Sequence, residues 1–203
     1  MRKALWILLA AASLTTPAMA QYASDAEGFI TAVRERDGDK AFELIGKNPL
    51  IVNGRNAKGE TPLNVALSRS DEQWTNFLLS RKANPNQQDG NGDTPLISAA
   101  RVGYSDAVET LLALGAKVDT ANRMGETPLI VAVQSRELGT VKLLLAKGAN
   151  PDKADSAAGY SARDYAKRDA RARDILAAIE ASKAPGKAAA KPTDVKLDDF
   201  KLK

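Results

Sequence analysis

The residues that could do chemistry in this chain are carboxylates, arginines and lysines, because histidine and cysteine are both absent. Their absence removes Ser-His-Asp triads, Cys-His pairs and the usual zinc and copper ligand sets. No serine is followed three positions later by lysine, and no glycine-rich loop ends in Gly-Lys-Ser or Gly-Lys-Thr. Acyl transfer of the Ser-Lys kind and phosphate-loop chemistry are therefore not encoded in recognisable form. One string has metal-like spacing: Asp89-Gly90-Asn91-Gly92-Asp93 places oxygens as the opening of a calcium loop does. The positions where that loop needs Gly and Glu hold Thr94 and Ala100, so the string reads as a tight turn. No metal and no cofactor is expected. Catalysis by paired acids needs a cleft that fixes their separation, and the pattern around these carboxylates describes something else.

That pattern is a repeat. Gly92-Asp93-Thr94-Pro95-Leu96, with Ala99, Leu111-Leu112 and Gly115-Ala116 behind it, recurs at a fixed period of 33 residues. The earlier copy is Gly59-Glu60-Thr61-Pro62-Leu63 with Ala66, Leu78-Leu79 and Ala83; the later one is Gly125-Glu126-Thr127-Pro128-Leu129 with Ala132, Leu144-Leu145 and Gly148-Ala149. A fixed period of this length marks a stack of supersecondary units rather than one globular core. Thr can cap a helix with its hydroxyl, and Pro at the first helical position loses no hydrogen bond. Leu63, Ala66, Leu96, Ala99, Leu129 and Ala132 share one face of a short helix, and the alanine allows close backbone approach. A second helix follows, with Val108, Leu111, Leu112 and Val141, Leu144, Leu145 as its apolar residues. On this reading Leu112→Ala opens a core cavity costing roughly 2–5 kcal/mol. Gly115 and Gly148 supply the left-handed turn that ends the second helix. Each unit is thus helix, turn, helix and hairpin.

The motif closely resembles the ankyrin repeat, over about residues 56 to 154, with degenerate units on either side. The resemblance implies an all-α solenoid of about five helix-turn-helix units, near 22–55, 56–88, 89–121, 122–154 and 155–180, linked by β-hairpin-like loops. The family's histidine position holds Asn64, Ile97 and Ile130 here, so the histidine's hydrogen bond to the backbone is expected to be missing. Of the glycines that end the first helix only Gly103 survives; Ser70 and Arg136 replace the others, and their turns are expected to differ in shape. In the first unit Phe29, Ile30, Ala32-Val33 and Leu44-Ile45 carry the apolar signal, and in the last unit Ile175 and Ile179 do. Trp74 is expected to pack between helices.

Outside the repeats, Arg2-Lys3, an apolar run from Ala4 to Leu14 and Ala18-Met19-Ala20 read as a secretory signal peptide over residues 1–20, cleaved after Ala20. The run is shorter than the ~20 residues that a spanning helix needs. No cysteine follows, so no lipid anchor at the new terminus is expected. The full chain carries a formal charge of +4; loss of Arg2 and Lys3 leaves +2. Residues 181–203, a Lys/Ala/Pro-rich flexible tail with six Lys and three Asp, account for +3, so the body between 21 and 180 stands at −1. That balance argues against broad binding to nucleic acid. The tail's end, Val195 to Leu202, alternates enough to form a short docking strand or peptide, but disorder is the preferred expectation.

Function then rests on surface. In ankyrin proteins the hairpin tips and the exposed side of the first helices form a concave face that grips other proteins. By motif position these are Lys58 and Glu60, Asn91 and Asp93, Arg123, Met124 and Glu126, and Tyr160 at the tips, with Arg69 and Arg101 on the helices. The expected protein is a monomeric, non-enzymatic interaction module that scaffolds or regulates a partner protein in the periplasm of a Gram-negative bacterium. It has no membrane contact after cleavage. The alternative is an inhibitor or immunity-type protein that occludes a single exported enzyme or toxin; an enzyme of unrecognised type is the third class.

Overall fold

The computed structural model describes residues 17–182, which form an all-α solenoid of five helix pairs. In chain order the pairs are α1 (Pro17–Glu35) and α2 (Gly38–Lys47), α3 (Pro62–Ser68) and α4 (Glu72–Ser80), α5 (Pro95–Arg101) and α6 (Ser105–Ala113), α7 (Pro128–Gln134) and α8 (Leu138–Ala146), and α9 (Ala162–Arg168) and α10 (Arg173–Ala181). A 3₁₀ turn over Pro49–Asn53 follows α2. The helices α1, α3, α5, α7 and α9 pack in series, each also against its own partner. The β-hairpin-like connections are loops, and among the described residues the only strand-like pairing is one bridge, Ala154 to Ser161. No helix among the described residues is long and apolar enough to cross a membrane. The basic start, the Ala4–Leu14 run and the tail from 183 lie outside the described residues, and the expected cleavage point after Ala20 falls within α1.

The Thr-Pro starts work as their chemistry requires. Thr61, Thr94 and Thr127 are buried, and each hydroxyl accepts from the amide three residues on, at 3.2 Å, with proline at the first helical position. Ser161 starts α9 with a capping box: its hydroxyl accepts from Asp164 N, and the Asp164 carboxylate accepts from Ser161 N. Leu63, Ala66, Leu96, Ala99, Leu129 and Ala132 are all buried in one continuous core. Phe29, Ile30, Val33, Leu44 and Ile45 close it at one end and Ile175 and Ile179 at the other. Trp74 is buried and meets Phe77 edge-to-face, with ring centroids 5.4 Å apart.

Three expectations are corrected. Leu112 is only partly buried, at the margin of the core; Leu111 is the fully enclosed residue, and Leu144 and Leu145 divide in the same way. In these two units the leucine pair straddles the edge of the buried stripe and only the first is enclosed, whereas Leu78 and Leu79 are both buried. The turns at Ser70 and Arg136 do not differ from that at Gly103. Arg36, Ser70, Gly103 and Arg136 have φ of 62°, 52°, 69° and 61°, all left-handed. After each, an amide bonds back to the helix alanine: Asp37 N to Ala32 O, Asp71 N to Ala66 O, Tyr104 N to Ala99 O and Glu137 N to Ala132 O, at 2.9–3.0 Å. The closing bond imposes the shape, and three non-glycine residues accept the strain.

The third correction concerns the position where histidine is missing. Asn64 is buried and its Nδ2 donates to Asp93 O at 2.8 Å, so a side-chain bond to backbone survives in that unit. Its Oδ1 is left without a partner. Ile97 and Ile130 are fully buried and fill the same position with packing alone.

Candidate partner-binding face

Each hairpin is built on an Asn or Asp whose side chain gathers the loop's own amides. Asn56 Oδ1 accepts from Lys58 N and Glu60 N, Asp89 Oδ1 from Asn91 N and Asp93 N, and Asn122 Oδ1 from Met124 N and Glu126 N, at 2.8–3.1 Å. Asp155 Oδ1 accepts from Ala157, Ala158 and Gly159. Short polar side chains form such turns because they imitate a backbone acceptor two residues away. The calcium-like spacing of Asp89 to Asp93 is thus occupied by backbone amides, and Asp93 turns to Arg101 and Asn122.

The hairpins lie directly on one another. Arg123 N donates to Asn91 O at 3.2 Å, and Ser156 N to Met124 O at 2.9 Å. Gly59, with φ 77°, allows this approach, since a Cβ there would sit 2.6 Å from Gly90 Cα. Adjacent tips are therefore fixed in register by backbone contacts, and residues on them form a row.

The expected contact residues divide into two groups on this support. Lys58, Asn91, Arg123 and Met124 are exposed at the tips, and Met124 is 55% exposed despite its apolar side chain. The tip carboxylates are turned inward. Glu60 Oε2 accepts from Asn56 Nδ2 at 2.6 Å and from Arg34 at 2.7 Å. Asp93 is buried, with Oδ2 on Arg101 at 2.7 Å and Oδ1 on Asn122 Nδ2 at 2.8 Å. Glu126 accepts from the same Asn122 Nδ2 at 2.9 Å. Arg69 donates to the Arg34 carbonyl. Tyr160 is half-buried, edge-to-face on Tyr165, with the Arg168 guanidinium 4.3 Å from its ring centre. Asp93 is therefore part of the scaffold rather than a free contact, and Arg101 is half committed to it.

The ion pairs also show that the helix ends border the tips. Arg34 near the end of α1 reaches Glu60, and Arg101 at the end of α5 reaches Asp93, so both rows share one face. Burial pushes the Glu60 carboxyl up, but bonds from Asn56 and Arg34 outweigh it and hold the group below the usual carboxylate range. Burial acts likewise on Asp155, and the Tyr165 hydroxyl at 2.6 Å with the loop amides overcomes it. Both stay ionised at neutral pH and serve the turn.

Sequence reasoning missed Arg34 and Asn122. The only available signal for Asn122 was an Asn or Asp four residues before each hairpin's last tip position, at the same 33-residue period. Arg34 gave none, because its partner lies 26 residues away.

No curated protein matches the chain. A family model described as ankyrin repeats in three copies matches residues 29–122 and again 75–155, together more than half of the 203 residues. On that match and on this architecture, the chain belongs to the ankyrin-repeat family, whose fold generally serves as a non-enzymatic protein–protein interaction module.

Proposed function

We propose that this protein acts in the periplasm of a Gram-negative bacterium as a scaffold or regulator, holding a partner protein along the concave row of hairpin tips and first-helix ends. The observation that carries this reading is the backbone locking of successive hairpins, Arg123 N to Asn91 O and Ser156 N to Met124 O. Locked tips present Lys58, Asn91, Arg123 and Met124 without an ordering cost, so several modest contacts act together. Export rests on the basic start, the apolar run and the Ala18-Met19-Ala20 site, and cleavage after Ala20 would trim α1 by little more than a turn. The mature protein works as a monomer, one solenoid presenting one row.

Amine-reactive crosslinking in periplasmic extract, with mass spectrometry of the linked peptides, tests the reading. The expected result is a partner linked through Lys58, together with a mature terminus at Gln21 on N-terminal sequencing. Linkage confined to the outer-helix lysines Lys142 and Lys147, or an intact Met1 end in a cytosolic pool, overturns it. A single stoichiometric complex that silences an exported enzyme would place the protein among inhibitors instead.

A further inference from the structure

We propose that the segment held on this face is an acidic stretch of the partner protein, with carboxylates flanking an apolar side chain; this rests on the binding reading above. The argument is charge complementarity. Glu60 and Asp93 are paired with Arg34 and Arg101, while Asp89, Glu126 and Asp155 keep their charge but turn their oxygens to loop amides, Asn122 and the Tyr165 hydroxyl. Arg34 and Arg101 are neutralised in the process. What the face offers outward is the other sign. Lys58 and Arg123 have no ion pair among the described residues, Arg69 donates to an uncharged carbonyl, and Arg168 rests on an aromatic ring. Glu35, the last residue of α1, is the exposed exception, at one end of the row.

Lys58 and Arg123 stand two units apart, roughly 20 Å at the ~10 Å spacing of packed helices. Met124 lies beside Arg123, so an apolar contact sits next to the cation. The protein's own tail is a poor occupant, because residues 181–203 carry +3. Nucleic acid is disfavoured for a different reason. The body is at −1, and tracking a phosphate backbone needs a continuous basic groove, whereas neutral Val102, Gln134 and Ser135 interrupt this row. A flexible chain of carboxylates fits; a continuous phosphate backbone does not.

The test uses the mature chain from Gln21 and fluorescein-labelled poly-L-glutamate, read by anisotropy at low salt. Binding is expected, weakened at least ~tenfold by Lys58→Glu with Arg123→Glu, and less than ~twofold by Lys142→Glu with Lys147→Glu, on α8 and at its C-cap. The neutral pair Lys58→Gln with Arg123→Gln should fall between, with unchanged circular dichroism in every variant. Absence of binding at low salt, equal weakening by both reversal pairs, or tighter binding of a labelled oligothymidine overturns the inference. The two readings fail separately. A partner crosslinked at Lys58 with no poly-glutamate binding leaves the module intact and removes the acidic segment. A partner linked only through α8 removes the face itself.

Discussion

Arg36, held at φ 62°, donates from Nε to Asp71 Oδ2 at 2.6 Å, so the strained residue ending one helix reaches the residue that caps a helix in the next unit. Asp71 is buried and also accepts from Trp74 N, closing the start of α4. Arg136 repeats the gesture three units along, with Nε 2.6 Å from Asp169 Oδ2. Between them Gly103 has the same geometry, and a Cβ there would collide with the Glu137 carboxylate. At Arg36, Gly103 and Arg136 the left-handed turn is thus a point of contact between units, and the residue type there follows from what the neighbour offers.

Substitutions at this turn should diverge in sign. Ser70, exposed at φ 52° and without a side-chain hydrogen bond among the described residues, carries the strain uncompensated there. Ser70→Gly should stabilise the fold by about 0.5–1 kcal/mol, and Gly103→Ala should destabilise it by at least ~1 kcal/mol. Thermal melting reads both, as shifts of a few degrees in opposite directions.

Asp71 contributes to the acid limit. Burial pushes its carboxyl up, but the Arg36 guanidinium and the Trp74 amide outweigh that and lower it below the ordinary value. A carboxyl lowered in the folded state stabilises the fold above its unfolded value and loses that contribution as pH falls through the folded one. Glu60 and Asp155 are lowered too, so stability should hold from neutral pH to about 5 and fall below about 4. Asp71→Asn should lower stability at pH 7 and flatten the acid limb in denaturant titrations. An acid limb unchanged in that variant would assign the loss to other carboxylates.

The 33-residue grammar made the helix pairs, the Thr-Pro caps and the buried Leu and Ala positions legible, because each depends on local spacing. What escaped it depends on neighbours. Asp93 looked like a surface carboxylate, yet Arg101 and Asn122 draw it inward, and Asn122 lies 29 residues away. Ser70 and Arg136 looked unsuited to a left-handed turn, yet the bond to the helix alanine fixes that turn whatever side chain is present. In Leu111-Leu112 the spacing marks an apolar pair, but only the stacked neighbours decide which member is enclosed.

That last distinction predicts unequal costs. Leu111→Ala removes a fully buried side chain and should cost roughly 2–5 kcal/mol, while Leu112→Ala, at the margin, should cost less than half as much. Urea unfolding of the two variants gives the comparison, and equal losses would contradict the assignment of the core edge.

Charge reversal on the proposed binding face should separate scaffold from contact. Arg101→Glu sets a new carboxylate against Asp93 and removes its partner at 2.7 Å, so the melting temperature should fall by a few degrees, consistent with about 1 kcal/mol. Arg123→Glu breaks no ion pair among the described residues and should leave melting unchanged. Binding loss in the Arg123 variant can then be read as contact loss, which the Arg101 variant does not permit. Identical melting shifts in the two would mean that the Arg101–Asp93 pair contributes nothing.

Asn64 offers a gain rather than a loss. Its Nδ2 bond to Asp93 O is dispensable, because that carbonyl also accepts from Asp89 N at 2.9 Å. Its Oδ1 is buried without a partner, a condition that costs about 1–3 kcal/mol against about 0.5–1.5 kcal/mol for one neutral hydrogen bond. Ile97 and Ile130 already occupy the matching position fully buried, so the architecture accepts a branched apolar side chain there. Asn64→Ile should therefore raise stability by about 1 kcal/mol, read as a higher melting temperature with an unchanged helical spectrum. A lower one would show that the extra volume overfills the space between α3 and α5, or that the Asp93 carbonyl depends on its second donor.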